Sequence, residues 1–276
     1  MTAPPVIPID DPADPRIAAY AGVRERDLVG RRGEFIAEGE VVLRVLLGPS
    51  SRFRPASLLI AGKRLARLAP MLEAVPPDVP VYAAGQAVMD AIVGFPIHRG
   101  ILGHGLAGPP ADAAALLASL GPRAVVLVLF GIANHDNIGG LFRNAAAFGA
   151  AAVLLDAACC DPLYRKAIRV SVGAGLTVPF ARLPTDQDPL ELLAAAGFEA
   201  LALSPAGAEP LAGLRRPDRV ALLLGAEGEG LPPALLARAR TLAIPMAPGW
   251  DSLNVAAAGA IALHELSLAG GRAWRG

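Results

Sequence analysis

Unbroken apolar runs in the second half of the chain constrain the fold more than any other sequence feature. Residues 124–130 read AVVLVLF, as expected of a strand buried on both faces of a sheet. Further strands are predicted at 152–156, 178–182, 199–203, 220–225 and 241–246. Helices are predicted between and after them, at 137–148, 162–170, 189–196, 232–239 and 254–268. This alternation predicts an α/β fold with a mostly parallel sheet, helices on both faces and ligands beyond the carboxyl ends of the strands.

The first half predicts a smaller α/β domain. Strands at 57–60 and 79–82 alternate with helices at 40–47 and 86–93. A lead over 1–15 is rich in proline and is expected to be flexible. The predicted organisation is therefore this lead, an accessory domain over 16–106, a linker over 107–121 and the larger domain over 122–276.

Composition excludes several classes of protein. Hydrophobic residues make up 54% of the 276 residues and charged residues 18%, so the chain can bury sizeable cores and is not disordered. The longest apolar helical segments are interrupted by Gly, Pro, Arg or His, so no transmembrane span is predicted. The N-terminus has no secretory pattern, which predicts a cytoplasmic protein. Adjacent Cys159 and Cys160 predict neither a disulfide framework nor a metal site.

Charge is balanced over the whole chain but not along it. The net charge is zero, yet residues 16–67 carry ten arginines and Lys63 against five acidic residues, a net charge of +6. Such a local excess is typical of a surface that binds phosphates, and it is equally typical of an ordinary solvated surface.

The first segment with chemical potential follows the strand at 124–130. Asn137 and Arg143 lie six residues apart at the start of the predicted helix. Asn137 is expected to be a helix N-cap or a loop residue. Arg143 stands among Gly140, Leu141, Phe142 and alanines, in a helix expected to be buried, which favours a functional role for it.

The second segment is the glycine-rich loop LLLGAEGEGL at 222–231. Glycine-rich loops after buried strands often bind phosphates, but Glu227 and Glu229 would repel one here. The loop meets neither the dinucleotide nor the P-loop glycine pattern. It suits a neutral or cationic ligand, such as the sulfonium and amino groups of S-adenosylmethionine. A plain strand-to-helix turn remains the alternative, because Pro232 can begin a helix.

The third segment, 242–259, ends a strand at Pro245 and enters a helix capped by Ser252 or Asn254. Residues 256–260 read AAAGA, which leaves so little side-chain volume that backbone or a ligand must approach closely. The loop before them carries Met246 and Trp250, which an ordinary solvent-exposed turn does not need.

Together these segments resemble the three motifs of the SpoU (TrmH-like) branch of the SPOUT RNA methyltransferases. The matching residues are Asn137, Gly139, Arg143, Ala145, Phe148 and Gly149, then 224–231, then 244–246 and 251–255. The sequence departs from the family pattern at Ala226, usually a small polar residue, and at Ala256, often a serine. The first half is similar to the family's accessory substrate-binding domain, which resembles RNA-binding ribosomal proteins, at 35–39, 57–60, 79–82 and 94–100.

The resemblance implies a fold, an assembly and a cofactor. Members tie the C-terminal domain into a deep trefoil knot and form homodimers with the active site at the subunit interface. They bind S-adenosylmethionine in the knot. The residues implied to bind that cofactor are Leu203, Gly225, Ile244, Met246, Leu253 and Asn254.

The implied reaction transfers a methyl group to a ribose 2′-hydroxyl of RNA. The implied catalytic residues are Asn137, Arg143, Glu227, Ser252 and Asn254. Because an arginine stays protonated in proteins, we expect Arg143 to orient the nucleotide phosphate and stabilise the developing alkoxide, rather than to act as a base. The expected RNA contacts are Arg31, Arg32, Arg99 and Arg143.

Two other functions compete with this interpretation. A catalytically inactive RNA-binding protein that kept the fold is the main alternative, and the presence of the expected catalytic residues argues against it. A nicotinamide-dependent enzyme is disfavoured by the acidic glycine loop. Both ribosomal and transfer RNA are open as substrates, and the accessory domain favours ribosomal RNA.

Overall fold

The computed structural model describes residues 4–21, 29–30, 33–93 and 100–269. Contacts within the chain divide it into two units. The first comprises Met1–Pro109 and Asp161–Thr177, and the second comprises Pro110–Cys160 and Val178–Gly276.

In the described part of the first unit, five strands form a sheet in the order β1-β4-β3-β5-β2. Their bounds are β1 Val6–Ile9, β2 Glu34–Glu38, β3 Arg54–Ala61, β4 Val81–Ala84 and β5 Ile101–Leu106. β4 runs parallel to β1 and β3, whereas β5 is antiparallel to β3 and β2. The predicted strand in β3 is confirmed, and its Leu58, Leu59 and Ile60 are fully buried.

The helices between the strands β2 to β5 of this sheet are α1 Glu40–Leu47, α2 Leu65–Leu72 and α3 Gln86–Val93. The predictions of α1 and α3 are confirmed at their predicted bounds. α1 buries Val42, Leu43 and Leu46, which recur at helical spacing on one face.

The prediction of a flexible lead is wrong for its central residues. Residues 6–9 form the edge strand β1, paired in register with β4, and Ile9 is only 1% exposed. A 3-10 helix, Pro15–Tyr20, follows, and the carboxylate of Asp14 caps it by accepting from the Arg16 N–H. Proline is tolerated in β1 because an edge strand leaves one row of N–H groups unpaired.

The segment Asp161–Thr177 also departs from the predicted boundaries, since it packs with the first unit rather than with the rest of 122–276. It contains α6, Arg165–Val170, and a 3-10 turn, Ala174–Leu176. Glu38, which is buried, accepts hydrogen bonds from Arg165 Nε at 2.9 Å and Arg169 Nη1 at 3.5 Å. These ion pairs balance the buried carboxylate, which would otherwise be costly.

In the described part of the second unit, seven strands form a sheet in the order β10-β12-β9-β11-β6-β7-β8, with every neighbouring pair parallel. The bounds are β6 Ala124–Leu129, β7 Ala152–Leu155, β8 Phe180–Arg182, β9 Glu199–Leu203, β10 Glu209–Pro210, β11 Arg219–Leu224 and β12 Arg240–Ala243. The predicted parallel sheet is confirmed. β8 and β12 are shorter than predicted, and β12 ends at Ala243 rather than at Pro245.

Helices cover both faces of this sheet. The described helices are α4 Ala113–Ser119, α5 His135–Phe148, α7 Pro189–Ala195, α8 Pro233–Leu236 and α9 Val255–Ala269. α4, α7 and α8 share one apolar core with Val126, Val128 and Leu223. Leu224, on the opposite face, contacts α9 at Gly259. The predicted linker therefore contributes to a core, because α4 lies within 107–121 and buries Leu117.

No helix among the described residues is long and apolar enough to cross a membrane. The same residues contain no group of three or more His, Cys, Asp or Glu side chains that could hold a metal ion.

We predict that Ile9→Ala lowers the free energy of unfolding of the first unit by about 2–4 kcal/mol, because it leaves a cavity beside β4. Val6→Ala is the matched control, since Val6 lies on the same strand but is 41% exposed, and it should cost less than about 1 kcal/mol. Urea unfolding followed by tyrosine absorbance measures this, because the chain's three tyrosines, Tyr20, Tyr82 and Tyr164, all lie in that unit. Equal effects of the two substitutions would mean that Ile9 of the lead is not packed in the core of the first unit.

Candidate active site

A cavity of about 610 Å³ opens at the carboxyl ends of β9, β11 and β12. Because parallel strands end at the same edge of a sheet, three loops that are distant in sequence meet there. The loop after β11 supplies the glycine-rich wall, and the loop from β12 to α9 supplies the opposite one. The lining residues are Leu203–Pro205, Leu224–Leu231, Leu236, Ile244, Met246, Asp251–Val255 and Ala258.

The glycines of the loop after β11 allow backbone to approach backbone. A Cβ on Gly225 would lie 2.1 Å from the carbonyl carbon of Gly230, so no side chain fits at that position. The Gly230 N–H donates to the Ala226 carbonyl at 2.9 Å and closes the loop. Gly228 and Gly230 have φ angles of +88° and +70°, which glycine adopts without strain. The glycines thus shape a wall of the cavity.

Asn254 joins three elements at the edge of this cavity. Its Oδ1 caps α9 by accepting from the N–H groups of Ala256 at 3.0 Å and Ala257 at 3.2 Å. Its Nδ2 donates to Asn137 Oδ1 at 2.9 Å and to Glu227 Oε1 at 2.6 Å. One amide therefore connects α5, the acidic loop and the start of α9. Of the two predicted caps of the last helix, Asn254 is the one that bonds to it, and Ser252 Oγ instead donates to Asp251 Oδ1 at 3.3 Å.

The expectation that Asn137 lies at a helix cap or in a loop is wrong. α5 begins two residues earlier, where Asn134 Oδ1 accepts from the Asp136 N–H at 2.8 Å and forms the N-cap. Asn137 lies inside the first turn of α5 and is buried. Its side chain is thereby held toward Asn254 rather than toward its own backbone.

Arg143 does not join the residues around the cavity. It lies on the exposed side of α5, although the sequence predicted a buried helix around it. It does not line the cavity, and it forms no hydrogen bond or ion pair within the part of the chain that the structure describes. The structure thus brings together Asn137, Glu227 and Asn254, with Ser252 on the lining, and leaves Arg143 apart.

All six residues predicted for the cofactor border the cavity: Leu203, Gly225, Ile244, Met246, Leu253 and Asn254. Of the four predicted RNA contacts, Arg31, Arg32 and Arg99 lie outside the described residues. Most of the 94–100 stretch that carried the resemblance of the first half also lies outside them.

Asn144 is a site-forming residue that sequence reasoning missed. Its Nδ2 donates to the Ala256 carbonyl in the first turn of α9 at 2.7 Å. Asn144 lies seven residues after Asn137, so the two side chains share one face of the helix. This spacing is the sequence signal that could have identified Asn144.

Comparison with known proteins agrees with this arrangement. Residues 124–264, half of the chain, match the model described as the SpoU rRNA Methylase family. This stretch contains every element around the cavity.

The chain belongs to the SpoU rRNA methylase family.

Relatives extend the SpoU resemblance to both units. An uncharacterised tRNA/rRNA methyltransferase of Mycobacterium bovis is 40% identical over 94% of this chain and 91% of its own length. A 23S rRNA (guanosine-2′-O-)-methyltransferase of Salmonella typhi is 30% identical over 78% of this chain and 89% of its own.

Solved structures of RNA methyltransferases have the same fold. The S-adenosylmethionine-bound rRNA methyltransferase of Sinorhizobium meliloti aligns with a TM-score of 0.75 and 25% identity, over 95% of this chain and 97% of that one. An RNA 2′-O ribose methyltransferase aligns with a TM-score of 0.77 over 95% of this chain and 98% of that one; at 24% identity it supports the fold alone.

In this SpoU-family chain, a polar cluster fixes the loop that leads into α5. Asp156 Oδ2 accepts from the Gly131 N–H at 3.0 Å, and Cys159 Sγ accepts from the Ile132 N–H at 3.3 Å. Arg182 Nη1 donates to the carbonyls of Asp156 and Cys159. Burial, with the Asp156 carboxylate as a smaller cause, raises the pKa of the Cys159 thiol to about 12. Cys159 is thus a buried structural thiol.

We predict that native Cys159 reacts with iodoacetamide at pH 8 about a thousandfold more slowly than a free thiol, because so little of it is thiolate. Because its pKa is raised, the Cys159 thiol stays neutral and unreactive until the pH is strongly alkaline. Mass spectrometry of the alkylated peptide measures the rate, with the urea-unfolded chain as the control. Equal rates in the native and unfolded chain would contradict the buried environment.

Proposed function

We propose that this chain is an S-adenosylmethionine-dependent methyltransferase that acts on a ribose 2′-hydroxyl of RNA. The observation that carries the proposal is the cavity whose walls are the second and third SpoU motifs, linked to the first through Asn254. Ribosomal RNA is the substrate we favour over transfer RNA, since the Salmonella typhi relative is named for 23S rRNA. We propose a cytoplasmic location, where RNA and S-adenosylmethionine are both available.

The cavity has the size and charge for S-adenosylmethionine. About 610 Å³ lies within the usual range of roughly 300–1,000 Å³ for small-molecule sites. Three carboxylates border it, Glu227, Glu229 and Asp251, and they favour a ligand with cationic sulfonium and amino groups. Apolar side chains from Leu203, Ile244, Met246 and Leu253 suit its adenine ring, and Gly225 lets the ligand approach the backbone. When bound, this cofactor supplies a methyl group on a positively charged sulfur.

Around the reacting hydroxyl, the proposed roles follow from charge and hydrogen bonding. Asn254 holds Glu227 at 2.6 Å, which fixes one carboxylate oxygen and leaves the other to accept the hydroxyl proton. Asn137 orients the Asn254 amide from within α5. Ser252, exposed on the lining, is placed to contact the nucleotide through its hydroxyl group. Positioned groups of this kind act by orienting reactants and stabilising developing charge.

Arg143 is proposed to bind the RNA phosphate and stabilise the incipient alkoxide. The arginine guanidinium keeps its charge at neutral pH and binds phosphate through two parallel hydrogen bonds. Its exposure and the lack of a partner within the described residues leave that fork open to a ligand.

We further propose a homodimer in which one copy completes the site of the other. Arg143 does not line the cavity of its own chain, which supports a role at the cavity of a partner. Apolar side chains are exposed on α9 and the loop before it: Ile261 is 40% exposed, Leu268 is 54% and Trp250 is 75%. Ile261 and Leu268 lie seven residues apart, on one face of α9. A second copy of this chain is the occupant we infer for that face.

The C-terminal domain is proposed to contain the deep trefoil knot of the SPOUT fold. Close approach of α9 to α5 supports this, since a Cβ on Gly140 would lie 2.9 Å from Ala256 Cβ. The proposed accessory RNA-binding role belongs to the first unit, whose five-stranded sheet is described above.

We predict that Arg143→Lys lowers methyl transfer to ribosomal RNA about a hundredfold, because lysine supplies charge without the guanidinium fork. The affinity for S-adenosylmethionine should stay within about twofold of wild type, since Arg143 does not line the cavity. Transfer of labelled methyl groups and calorimetric titration measure the two effects. Arg238→Lys, at an arginine paired with Asp188 away from the cavity, is the control and should leave both unchanged. Near-native transfer by Arg143→Lys would contradict the orienting role.

We predict that Ile261→Glu converts a dimer into monomers and abolishes methyl transfer, because a charge would be buried at the proposed interface. Sedimentation velocity at micromolar concentration measures the assembly state. Val41→Glu is the control, since Val41 is 57% exposed on α1 of the other unit, and it should leave the dimer intact. A wild-type monomer that transfers methyl groups, or an intact Ile261→Glu dimer, would contradict the proposed assembly.

A further inference from the structure

The start of α9 meets α5 through small residues, whereas farther along the two helices Phe148 and His264 pack edge to face with ring centroids 5.8 Å apart. A Cβ on Gly140 would lie 2.9 Å from Ala256 Cβ, and one on Gly259 would lie 2.7 Å from Leu141 Cδ2. Interlocking ridges and grooves of large side chains normally fix the position of one helix along another. Small residues allow close approach but offer shallow ridges. At the first turn of α9, hydrogen bonds therefore add to the packing that fixes its axial position.

Two amide side chains on α5 provide these hydrogen bonds. Asn137 and Asn144 are separated by two helical turns on one face, on either side of Gly140. Asn137 Oδ1 accepts from Asn254 at 2.9 Å, and Asn144 Nδ2 donates to the Ala256 carbonyl at 2.7 Å. The Ala256 N–H in turn donates to Asn254 Oδ1 at 3.0 Å. Ala256 is thus held through both its N–H and its carbonyl.

The first turn of α9 and the residues before it are part of the cavity wall. Asn254, Val255 and Ala258 all line the cavity, and the Ala258 N–H donates to the Asn254 carbonyl at 2.9 Å. A shift of α9 along its axis would move these groups together. It would also move the Asn254 amide away from Glu227, which it contacts at 2.6 Å.

We propose that Asn144 is a positioning residue for the methyl-donor site: its amide holds the first turn of α9 in the axial position that forms the cavity wall. This inference rests on the proposed function, since it concerns the binding of S-adenosylmethionine. Asn144 does not border the cavity, so its effect is transmitted through Ala256 and Asn254.

The test is the pH dependence of S-adenosylmethionine affinity in Asn144→Asp, measured by calorimetry on the full chain. Aspartate matches asparagine in shape, but its ionised carboxylate would repel the Ala256 carbonyl that Asn144 contacts at 2.7 Å. The protonated carboxyl instead has an O–H that can donate to that carbonyl. We expect binding about tenfold weaker than wild type at pH 8 and less than threefold weaker at pH 4, close to the ordinary pKa of aspartate. Asn144→Ala should be about tenfold weaker at both pH values.

Comparison with wild type at each pH isolates the new carboxyl, because the other titratable groups are common to both proteins. On α5 and α9 these are His135, Asp136, Arg143, His264 and Glu265, and on the loops that line the cavity they are Glu227, Glu229 and Asp251. Asp112→Ala is the matched control: it also removes one side-chain-to-backbone hydrogen bond from the same unit, at 2.7 Å from the Ala115 N–H, without touching α9 or the cavity. Its donor affinity should remain within twofold of wild type.

Hydrogen exchange provides a readout that does not depend on binding. In Asn144→Ala, the backbone amides of residues 256–260 should exchange about tenfold faster than in wild type. In Asp112→Ala, the same amides should exchange at the wild-type rate. Wild-type chain that binds no donor would overturn the proposed function and this inference with it. Wild-type binding with unchanged affinity in both Asn144 variants, or a loss in Asn144→Asp that is independent of pH, would overturn this inference alone.

Discussion

The close contact between α5 and α9 is the constraint on which the rest of the site depends. It exists because Gly140 and Ala256 leave only the Ala256 methyl group between the two helices. The contact brings the start of α9 against the glycine-rich loop, so that Asn254 can reach Asn137 and Glu227 at once. A larger residue at either position of the contact would separate the helices and open the cavity wall. The close contact therefore requires small residues at the start of α9. Hydrogen bonds from the polar groups around them help to fix the relative position of the two helices.

Much of the second unit could be predicted from the sequence because its strands are buried on both faces. Residues 124–129 include no polar side chain, and a run of this length and composition is typical of a strand that is buried on both faces. The lead was mistaken for flexible chain because its prolines conceal an edge strand whose Ile9 packs inward. The membership of Asp161–Thr177 in the first unit had no local signal. It depends on Glu38, which is 127 residues away from its partner Arg165.

The residues of the site could be predicted where the sequence has residue types that are unusual for a loop or a helix. They could not be predicted where the packing of helices determines which side chains meet. The acidic glycine loop and Asn254 border one cavity, because the order of the strands brings them together. The sequence misplaces Asn137 relative to the start of α5, because Asn134, three residues earlier, is the residue that caps the helix. Asn144 was missed because an asparagine in a helix interior looks like a solvated residue until its partner on α9 is known. The exposed position of Arg143 could not be derived from a helix whose neighbours read as apolar.

A crystal structure of the full chain soaked with S-adenosylmethionine tests the central claim most directly. The account predicts one donor molecule per chain, with its sulfonium among the carboxylates of the cavity and its adenine ring against Leu203, Ile244 and Leu253. Gly225 should contact the ligand through its backbone alone. Donor density elsewhere on the chain, or a cavity that excludes the donor at saturating concentration, would contradict the account.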